Sequence, residues 1–128
     1  MFEQSERSSF KYWFAHWCAF QMTALNHKMW KPKYLLHDIE KPWLKLFWEY
    51  PKVQRWHRFH NKHHIEYYQL HRKADWKAMV IDWECGHYTK IAQPLDAKGE
   101  LERQVKKHPE LKEVLYNNIN RVILNYDF

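Results

Sequence analysis

The sequence predicts an all-α fold, a compact single-domain bundle of about six or seven helices occupying residues 1–128. The 128 residues include only two Gly and five Pro, too few for the many tight turns of an all-β fold. Apolar residues make up 45% of the chain, which favours a packed core over disorder. We expect the core of the domain in residues 8–92, followed by C-terminal helices in residues 98–126.

Prolines separate the predicted helices of the N-terminal half. Residues 8–26 form the first helix, in which apolar residues recur at i, i+4, i+7 and i+11. That stripe consists of Trp13, Trp17, Phe20 and Ala24. Pro32 suits the first turn of a second helix carrying YLLHDIEK, and Pro42 ends that helix or begins the next, PWLKLFWEY.

The remaining helices are predicted from longer patterned stretches. Residues 52–72 are predicted as one long helix, and residues 75–91 as another, with Asp75 as an N-cap. The segment QPLDAKGE has Pro and Gly close together and is predicted as a loop. Two further helical pieces, ELERQVKKH and ELKEVLYNNINRVILNY, complete the chain.

Charge and apolar patterning restrict the partners. The formal net charge of +6 suits an anionic partner, either a phosphorylated small molecule or nucleic acid. Because Lys and Arg are interspersed with acids and form no run, nucleic acid is the weaker candidate. No apolar run reaches ~18 residues, so we expect no membrane partner and a cytoplasmic location. The pattern leaves a homo-oligomer open.

Two cysteines, Cys18 and Cys85, lack the CxxC spacing of a metal or redox site. A disulfide between them remains open, but free thiols in a reducing cytosol are the expectation.

Histidine is unusually abundant, with ten in the chain, and several stand beside acids. His37 and Asp38 follow directly after an apolar run, where a helix is expected to be buried, so we interpret the pair as the centre of a metal site. Further candidates lie in HRFHNKHHIE. If this stretch is helical, His60 and His64 share a face, and His57 can join them. Converging imidazoles are best tolerated on a metal, although a solvated polar face is the alternative.

The stretch LLHDIEK resembles the LLHDIGK signature of the HD-domain metal-dependent phosphohydrolases. Members of that family are all-α, with a first His on one helix, the His-Asp pair on the next and a distant Asp on a later helix. Members with two metals add histidines, often a His-His doublet followed by Glu. The same order occurs here in His37-Asp38, His60, the HHIE segment and Asp82. The chain also resembles a small bacterial and phage family with HDxxK, NKHHxEYW and a DWE-like segment, over roughly residues 10–92.

Some positions allow alternatives. Glu40 stands where the common signature has Gly. Either His16 or His27 can be the first histidine, and we prefer His16 because it lies within a helix, as the family pattern requires. For the last acid we prefer Asp82 to Asp75, because Asp82 lies in an apolar stretch, where an unpaired carboxylate is costly.

The resemblance implies one or two divalent ions. The first would be held by His16, His37, Asp38 and Asp82, and the second by His60 with His63 or His64, with Asp38 as the bridge. Mixed imidazole and carboxylate ligands suit Mn, Fe, Co, Ni or Zn. Such an ion makes hydroxide available near neutral pH for phosphoester hydrolysis.

The remaining site residues follow from the same resemblance. Lys41 occupies the signature position for holding a phosphate oxygen, with Arg58 and Lys62, and also Arg55, as further phosphate-binding candidates. Glu66 would orient a ligand imidazole or move a proton. The expected function is therefore hydrolysis of a nucleotide or related small phosphoester. The alternatives are an HD-type di-iron oxygenase and a basic, non-enzymatic binding protein with a structural metal site.

Overall fold

The computed structural model describes residues 9–89, 96–126 and 128, and all regular structure in this part of the chain is helical. The predicted all-α class is therefore confirmed for the described residues, which form seven α-helices and two short 3-10 helices at Pro32–Leu36 and Pro109–Leu111. In chain order the α-helices are α1 (Phe10–Asn26), α2 (Glu40–Leu44), α3 (Tyr50–His60), α4 (Ile65–His71), α5 (Trp76–Thr89), α6 (Ala97–Lys107) and α7 (Lys112–Tyr126).

Helix α1 begins where Ser9 Oγ accepts a hydrogen bond from the backbone N of Tyr12 at 3.1 Å. The predicted start at residue 8 lies outside the described residues. Residues spaced four apart form its buried face: Tyr12, His16, Phe20 and Ala24. This face places a histidine, His16, in line with the core residues.

The predicted apolar stripe of α1 was right for Phe20 and Ala24 but wrong for Trp13 and Trp17, which are only half-buried. Their indole N–H groups explain the difference, because each needs a hydrogen-bond acceptor. Trp13 Nε1 donates to the backbone oxygen of Asp38 at 2.7 Å, and Trp17 Nε1 donates to that of Leu35 at 3.1 Å. The two tryptophans therefore attach α1 to the segment that follows it.

That segment is not the continuous helix that was predicted for YLLHDIEK. Pro32–Leu36 is a 3-10 helix, His37 has extended backbone angles, and Asp38 has a φ of 56°, in the left-handed region. Only then does α2 begin, with Glu40 and with Pro42 in its first turn. The His-Asp pair consequently lies in a turn between two helical elements.

The predicted long helix over residues 52–72 is also interrupted. Helix α3 ends at His60, residues 61–64 form a connection, and α4 begins at Ile65. His63 and His64 thus lie in the connection, and their directions do not follow helical spacing. The buried residues of α3 are Val53 and His57, one turn apart.

Helix α5 is central, since it packs against α1, α6 and α7. Asp75 caps its start, as predicted, by accepting from the backbone N of Ala78 at 3.1 Å. Its middle is largely apolar, as expected for a helix buried among others, with buried residues that include Met79, Val80, Ile81 and Cys85. The predicted end, residues 90–91, lies outside the described residues.

The C-terminal helices close the core. Asp96 Oδ1 accepts from Gly99 N at 2.7 Å and caps α6. The predicted loop over residues 93–100 was therefore wrong from residue 97 onward, and residues 93–95 are not among those described. Helix α7 buries one stripe, consisting of Leu115, Ile119, Val122 and Ile123.

Both cysteines are free thiols, Cys18 half-buried and Cys85 buried. None of the described helices combines the length and the apolar character needed to cross a membrane.

Candidate metal centre

Four ligand-type side chains from three parts of the fold meet on the buried side of α1. His16 comes from α1, His37 and Asp38 from the turn before α2, and Asp82 from α5. One ligand atom from each lies within 4.8 Å of the others. His16 was preferred to His27, and Asp82 to Asp75, and the structure brings His16 and Asp82 together with the His-Asp pair.

The separations within this group match those expected around a metal ion. His16 Nε2 lies 2.9 Å from Asp82 Oδ1, 3.4 Å from Asp38 Oδ2 and 3.4 Å from His37 Nε2. His37 Nε2 lies 3.2 Å from Asp82 Oδ1 and 3.3 Å from Asp38 Oδ2. Four tetrahedral donors at ~2.1 Å from an ion would be ~3.4 Å apart. The group could therefore hold an ion with little movement.

A second group lies on the other side of Asp38. It consists of His57, His63 and His64, whose ligand atoms also lie within 4.8 Å of one another. Asp38 Oδ1 faces this group, 2.9 Å from His57 Nε2 and 3.3 Å from His63 Nε2. Since Asp38 Oδ2 faces the first group, one carboxylate offers an oxygen to each, as the sequence interpretation required of a bridge.

The backbone conformation of Asp38 determines the direction of this carboxylate. A positive φ is uncommon outside glycine, although Asp tolerates it better than most residues. The hydrogen bond from Trp13 Nε1 to the Asp38 carbonyl, together with that from Lys41 N at 3.2 Å, holds the residue in this conformation. Trp13 is thus a positioning residue that the sequence analysis treated only as core.

His57 is oriented by two polar partners. Its Nδ1 donates to Glu40 Oε1, because a carboxylate can only accept, and Nε2 is left facing Asp38. Asn61 Nδ2 donates to the same Glu40 oxygen at 3.0 Å and to the His57 carbonyl at 2.8 Å. Carboxylates that hold the outer nitrogen of a ligand histidine are typical of metal sites. Glu40, which departs from the common signature, therefore has a role here.

The histidines of the first group have less polar support. His16 Nδ1 lies 3.7 Å from Cys85 Sγ, whose thiol donates to the Asp82 carbonyl at 3.1 Å. The His37 ring stacks on Phe20, with ring centroids 3.7 Å apart and an interplanar angle of 12°. In both residues Nε2 is the nitrogen that faces the carboxylates.

The acids of the centre are ionised. Burial raises the pKa of the Asp38 and Asp82 carboxyls, but the surrounding imidazoles, and Lys41 beside Asp38, outweigh it. Each pKa consequently lies well below its ordinary value. A buried and a largely buried carboxylate within one cluster are a strong attraction for a cation.

Two of the imidazoles are neutral near pH 7. Burial lowers the pKa of His64, and the neighbouring His63 and His57 lower it further, to well below the ordinary value. Burial also lowers the pKa of His37, to about 4. At His16 burial acts in the same direction, but Cys85 and the two carboxylates more than offset it and raise the pKa. Neutral imidazole is the form that binds a metal.

Orphaned polar atoms give the most direct indication of a bound cation. Among the described residues, four neighbouring buried atoms make no hydrogen bond of good geometry, although His57 Nε2 and Asp38 Oδ1 lie 2.9 Å apart as an ion pair: Asp38 Oδ1 and the Nε2 atoms of His57, His63 and His64. Buried polar atoms are nearly always paired, because leaving one unpaired costs roughly 1–3 kcal/mol. An ion between them would satisfy all four. The residues present therefore fit a divalent metal.

The structure corrects the predicted role of His60. Its side chain is exposed, its ring stacks on Trp56 at 4.2 Å, and its Nδ1 lies 2.7 Å from the Trp56 carbonyl. His57, one turn earlier on the buried side of α3, takes its place. The sequence contains a hint of this, since Val53 and His57 lie four residues apart and so share a helical face. Using it required knowing that this face of α3 is the buried one.

Four further candidates also lie away from the cluster. Glu66 Oε2 lies 3.9 Å from Arg58 Nε, so this predicted catalytic acid is directed at a surface arginine. Arg58 and Lys62 are exposed, and their predicted phosphate contacts have no support in the described geometry. His27, the alternative first histidine, stacks on Phe128.

Lys41 does reach the centre. Its Nζ lies 3.7 Å from Asp38 Oδ2, and only 17% of its side chain is exposed. It also lines a cavity whose wall includes His16 and Asp38, so an ammonium group and both ligand residues face the same space.

Comparisons with protein-family models, curated proteins and solved structures found no match for this chain. The residues of the centre are therefore the basis of any functional conclusion.

Proposed function

We propose that the chain is a metal-dependent phosphohydrolase acting on a nucleotide or related small phosphoester, with one or two divalent transition-metal ions. The observation that carries the proposal is the arrangement around Asp38, whose two oxygens face two groups of histidines while Lys41 lies beside it. The order of these residues also resembles that of the HD-domain phosphohydrolases.

The first ion would be held by His16, His37, Asp38 and Asp82, and the second by Asp38 with His57, His63 and His64. When bound, such ions supply Lewis acidity toward water and toward phosphoryl oxygen. The ligand chemistry admits Mn, Fe, Co, Ni or Zn.

The chain's own contribution is to position charge. In hydrolysis a water oxygen bonds to phosphorus, the P–O bond to the organic group breaks, and the proton from water ends on the departing alkoxide. Negative charge on the phosphoryl oxygens must be stabilised in the transition state. Lys41 places an ammonium group at the centre for that purpose, held in place by Asp38. Its half-buried position favours a phosphorylated substrate over the C–H substrate of an oxygenase.

The test compares Lys41→Met with Lys73→Met, a change at an exposed lysine. Purified protein loaded with Mn, Co, Ni, Mg or Fe is assayed on nucleoside mono- and triphosphates, cyclic nucleotides and a chromogenic phosphodiester. We expect turnover in at least one combination, with Lys41→Met lowering kcat by about 10²–10³-fold while metal content is unchanged. Lys73→Met should match the wild type.

Two outcomes would overturn the proposal. No turnover in any combination, with oxygen consumption by the iron-loaded protein, would point to the oxygenase. No turnover, no oxygen consumption and no bound metal would leave a non-enzymatic binding protein.

A further inference from the structure

A cavity of about 190 Å³ opens directly onto the candidate centre. It lies between α1 and the segment around α2, and its inner end is formed by His16, Asp38 and Lys41. Its side walls are formed by Phe10 and Trp13 from α1 and by Pro42 and Leu46 from the opposite segment. A molecule in this cavity would therefore contact the ligand residues and Lys41 at one end and apolar side chains along its length.

The lining of this cavity is overwhelmingly apolar. Phe10 and Trp13 form an aromatic wall, with ring centroids 5.4 Å apart and tilted by 32°. The residues with hydroxyl groups in the lining, Ser9, Tyr12 and Tyr50, are already engaged in interactions within the protein. The cationic groups in the lining are Lys41 at the inner end and Lys45.

We propose that this cavity holds the organic group of the substrate and that this group is apolar and about one ring in size. The inference rests on the proposed function, and it narrows the substrate class to phosphoesters of aryl, arylalkyl or similarly apolar alcohols. A cavity of about 150 Å³ accepts benzene, so 190 Å³ accommodates one six-membered ring with its linking carbon. The phosphoryl group then lies at the inner end, beside Lys41.

The lining disfavours recognition through hydrogen bonds. A nucleobase placed between Phe10, Trp13 and Leu46 would lose the water that solvates its polar edges and gain few partners in return. An apolar ring loses nothing of this kind, and its transfer from water to these walls is favourable. The cavity therefore favours substrates whose organic group is apolar.

The first experiment compares substrates whose leaving alcohols have similar acidity, so that intrinsic reactivity does not decide the result. Benzyl phosphate, ethyl phosphate and adenosine 5′-monophosphate are assayed with the Mn-loaded protein. We expect kcat/KM for benzyl phosphate to exceed that for each of the others by at least about tenfold, the effect of burying one apolar side chain of this size. Equal values, or a preference for the nucleotide, would overturn the inference and leave the proposed function standing.

Variants in the cavity wall test whether the preference for benzyl phosphate arises in this cavity. Leu46 and Phe10 are 70% and 64% exposed, so Leu46→Asn and Phe10→Asn should leave the fold intact. Each should lower kcat/KM for benzyl phosphate about three- to tenfold more than it lowers that for ethyl phosphate, whose organic group contacts less of the wall. Leu70→Asn, at a leucine that is 62% exposed and is not part of the cavity lining, is the matched control and should change neither. A preference that survives both wall variants would place the apolar group elsewhere.

A binding measurement separates this inference from the proposed function. Calorimetry with benzylphosphonate and methylphosphonate, neither of which can be hydrolysed, reports occupancy without turnover. We expect the Mn-loaded protein to bind benzylphosphonate at least about tenfold more tightly, and Leu46→Asn to reduce the difference. That result with no hydrolysis of any ester would overturn the proposed function while supporting the cavity as an apolar subsite. Equal affinities would overturn the subsite.

Discussion

The two ligand groups that share Asp38 are built differently. In the first group the donor atoms have protein partners, as in the hydrogen bond between His16 and Asp82, residues 66 positions apart in the sequence. In the second group, His57, His63 and His64 lie within eight residues of chain, and the Nε2 atoms of His63 and His64 have no hydrogen-bond partner in the described structure, while His57 Nε2 forms only an ion pair with Asp38.

This difference shows what each group requires of an ion. The first group has two carboxylates and can persist as a network of hydrogen bonds and ion pairs. The second group has three imidazoles and only the shared carboxylate, so without a cation the Nε2 atoms of His63 and His64 remain without a hydrogen bond. We expect the first group to bind its ion more tightly, because it contributes more negative charge, and the second group to depend more on its ion for stability.

Removing the carboxylate that joins the groups should have the largest effect. Asp38→Asn keeps the size of the side chain and suits the positive φ of 56°. We expect the loss of both ions and a fall in activity of more than about 100-fold, since even outer partners of metal ligands are worth 10–100-fold. Elemental analysis of the purified variant measures the ions. Retention of two ions per chain would show that Asp38 is not the bridge.

A change confined to the second group should remove one ion. His64→Ala takes away an imidazole that faces His57 and His63, and we expect one ion per chain where the wild type binds two. His60→Ala is the matched control, because the His60 ring lies on Trp56 and outside both groups. If His60→Ala loses an ion and His64→Ala does not, the corrected ligand set is wrong and the original interpretation of the sequence is restored.

The comparison of the two groups also shows which features of the molecule could be predicted from the sequence. The all-α class and the capping role of Asp75 were predicted from composition and capping preferences, and the meeting of His16 with the His-Asp pair and Asp82 was predicted from the resemblance to the HD-domain family. The interruptions of the helices at Asp38 and at residues 61–64 were not predicted. They depend on tertiary contacts such as the Trp13 hydrogen bond.

The second group was predicted only in part for the same reason. Helical spacing put His60 and His64 on one face, but the break after His60 removes that relation. His57 is directed inward because Val53, one turn earlier, lies in the core, and because Glu40 and Asn61 meet its Nδ1 side. Such a contact between α2 and α3 cannot be read from local spacing.

Removing metal should destabilise the protein by a measurable amount. An ion present at 100 times its Kd stabilises the folded state by about 2.7 kcal/mol, which for a domain of this length moves Tm on the order of 10 °C. We expect a chelator to lower Tm by at least this much and added Mn to restore it. The loss should be smaller in His64→Ala, which has only the first ion to lose. Thermal denaturation followed by circular dichroism tests this, and a Tm indifferent to chelator would count against both sites.

The smallest expected effect comes from a change at Glu40, compared with the same change at Glu66. The sequence interpretation assigned a role in the centre to Glu66, whereas the structure places Glu40 there. Glu40 accepts the Nδ1 proton of His57 and so keeps Nε2 available, whereas Glu66 is directed at Arg58. Glu40→Gln keeps the size of the side chain but replaces the carboxylate with a weaker acceptor. We expect it to weaken binding of the second ion by about 10–100-fold, as for other acids that orient a ligand histidine. The affinity for the first ion should be nearly unchanged. Glu66→Gln should leave both affinities as they are. Titration of metal-free protein with Mn, followed by calorimetry, resolves the two binding steps, and a weaker second step in Glu66→Gln alone would return Glu66 to the centre and remove Glu40 from it.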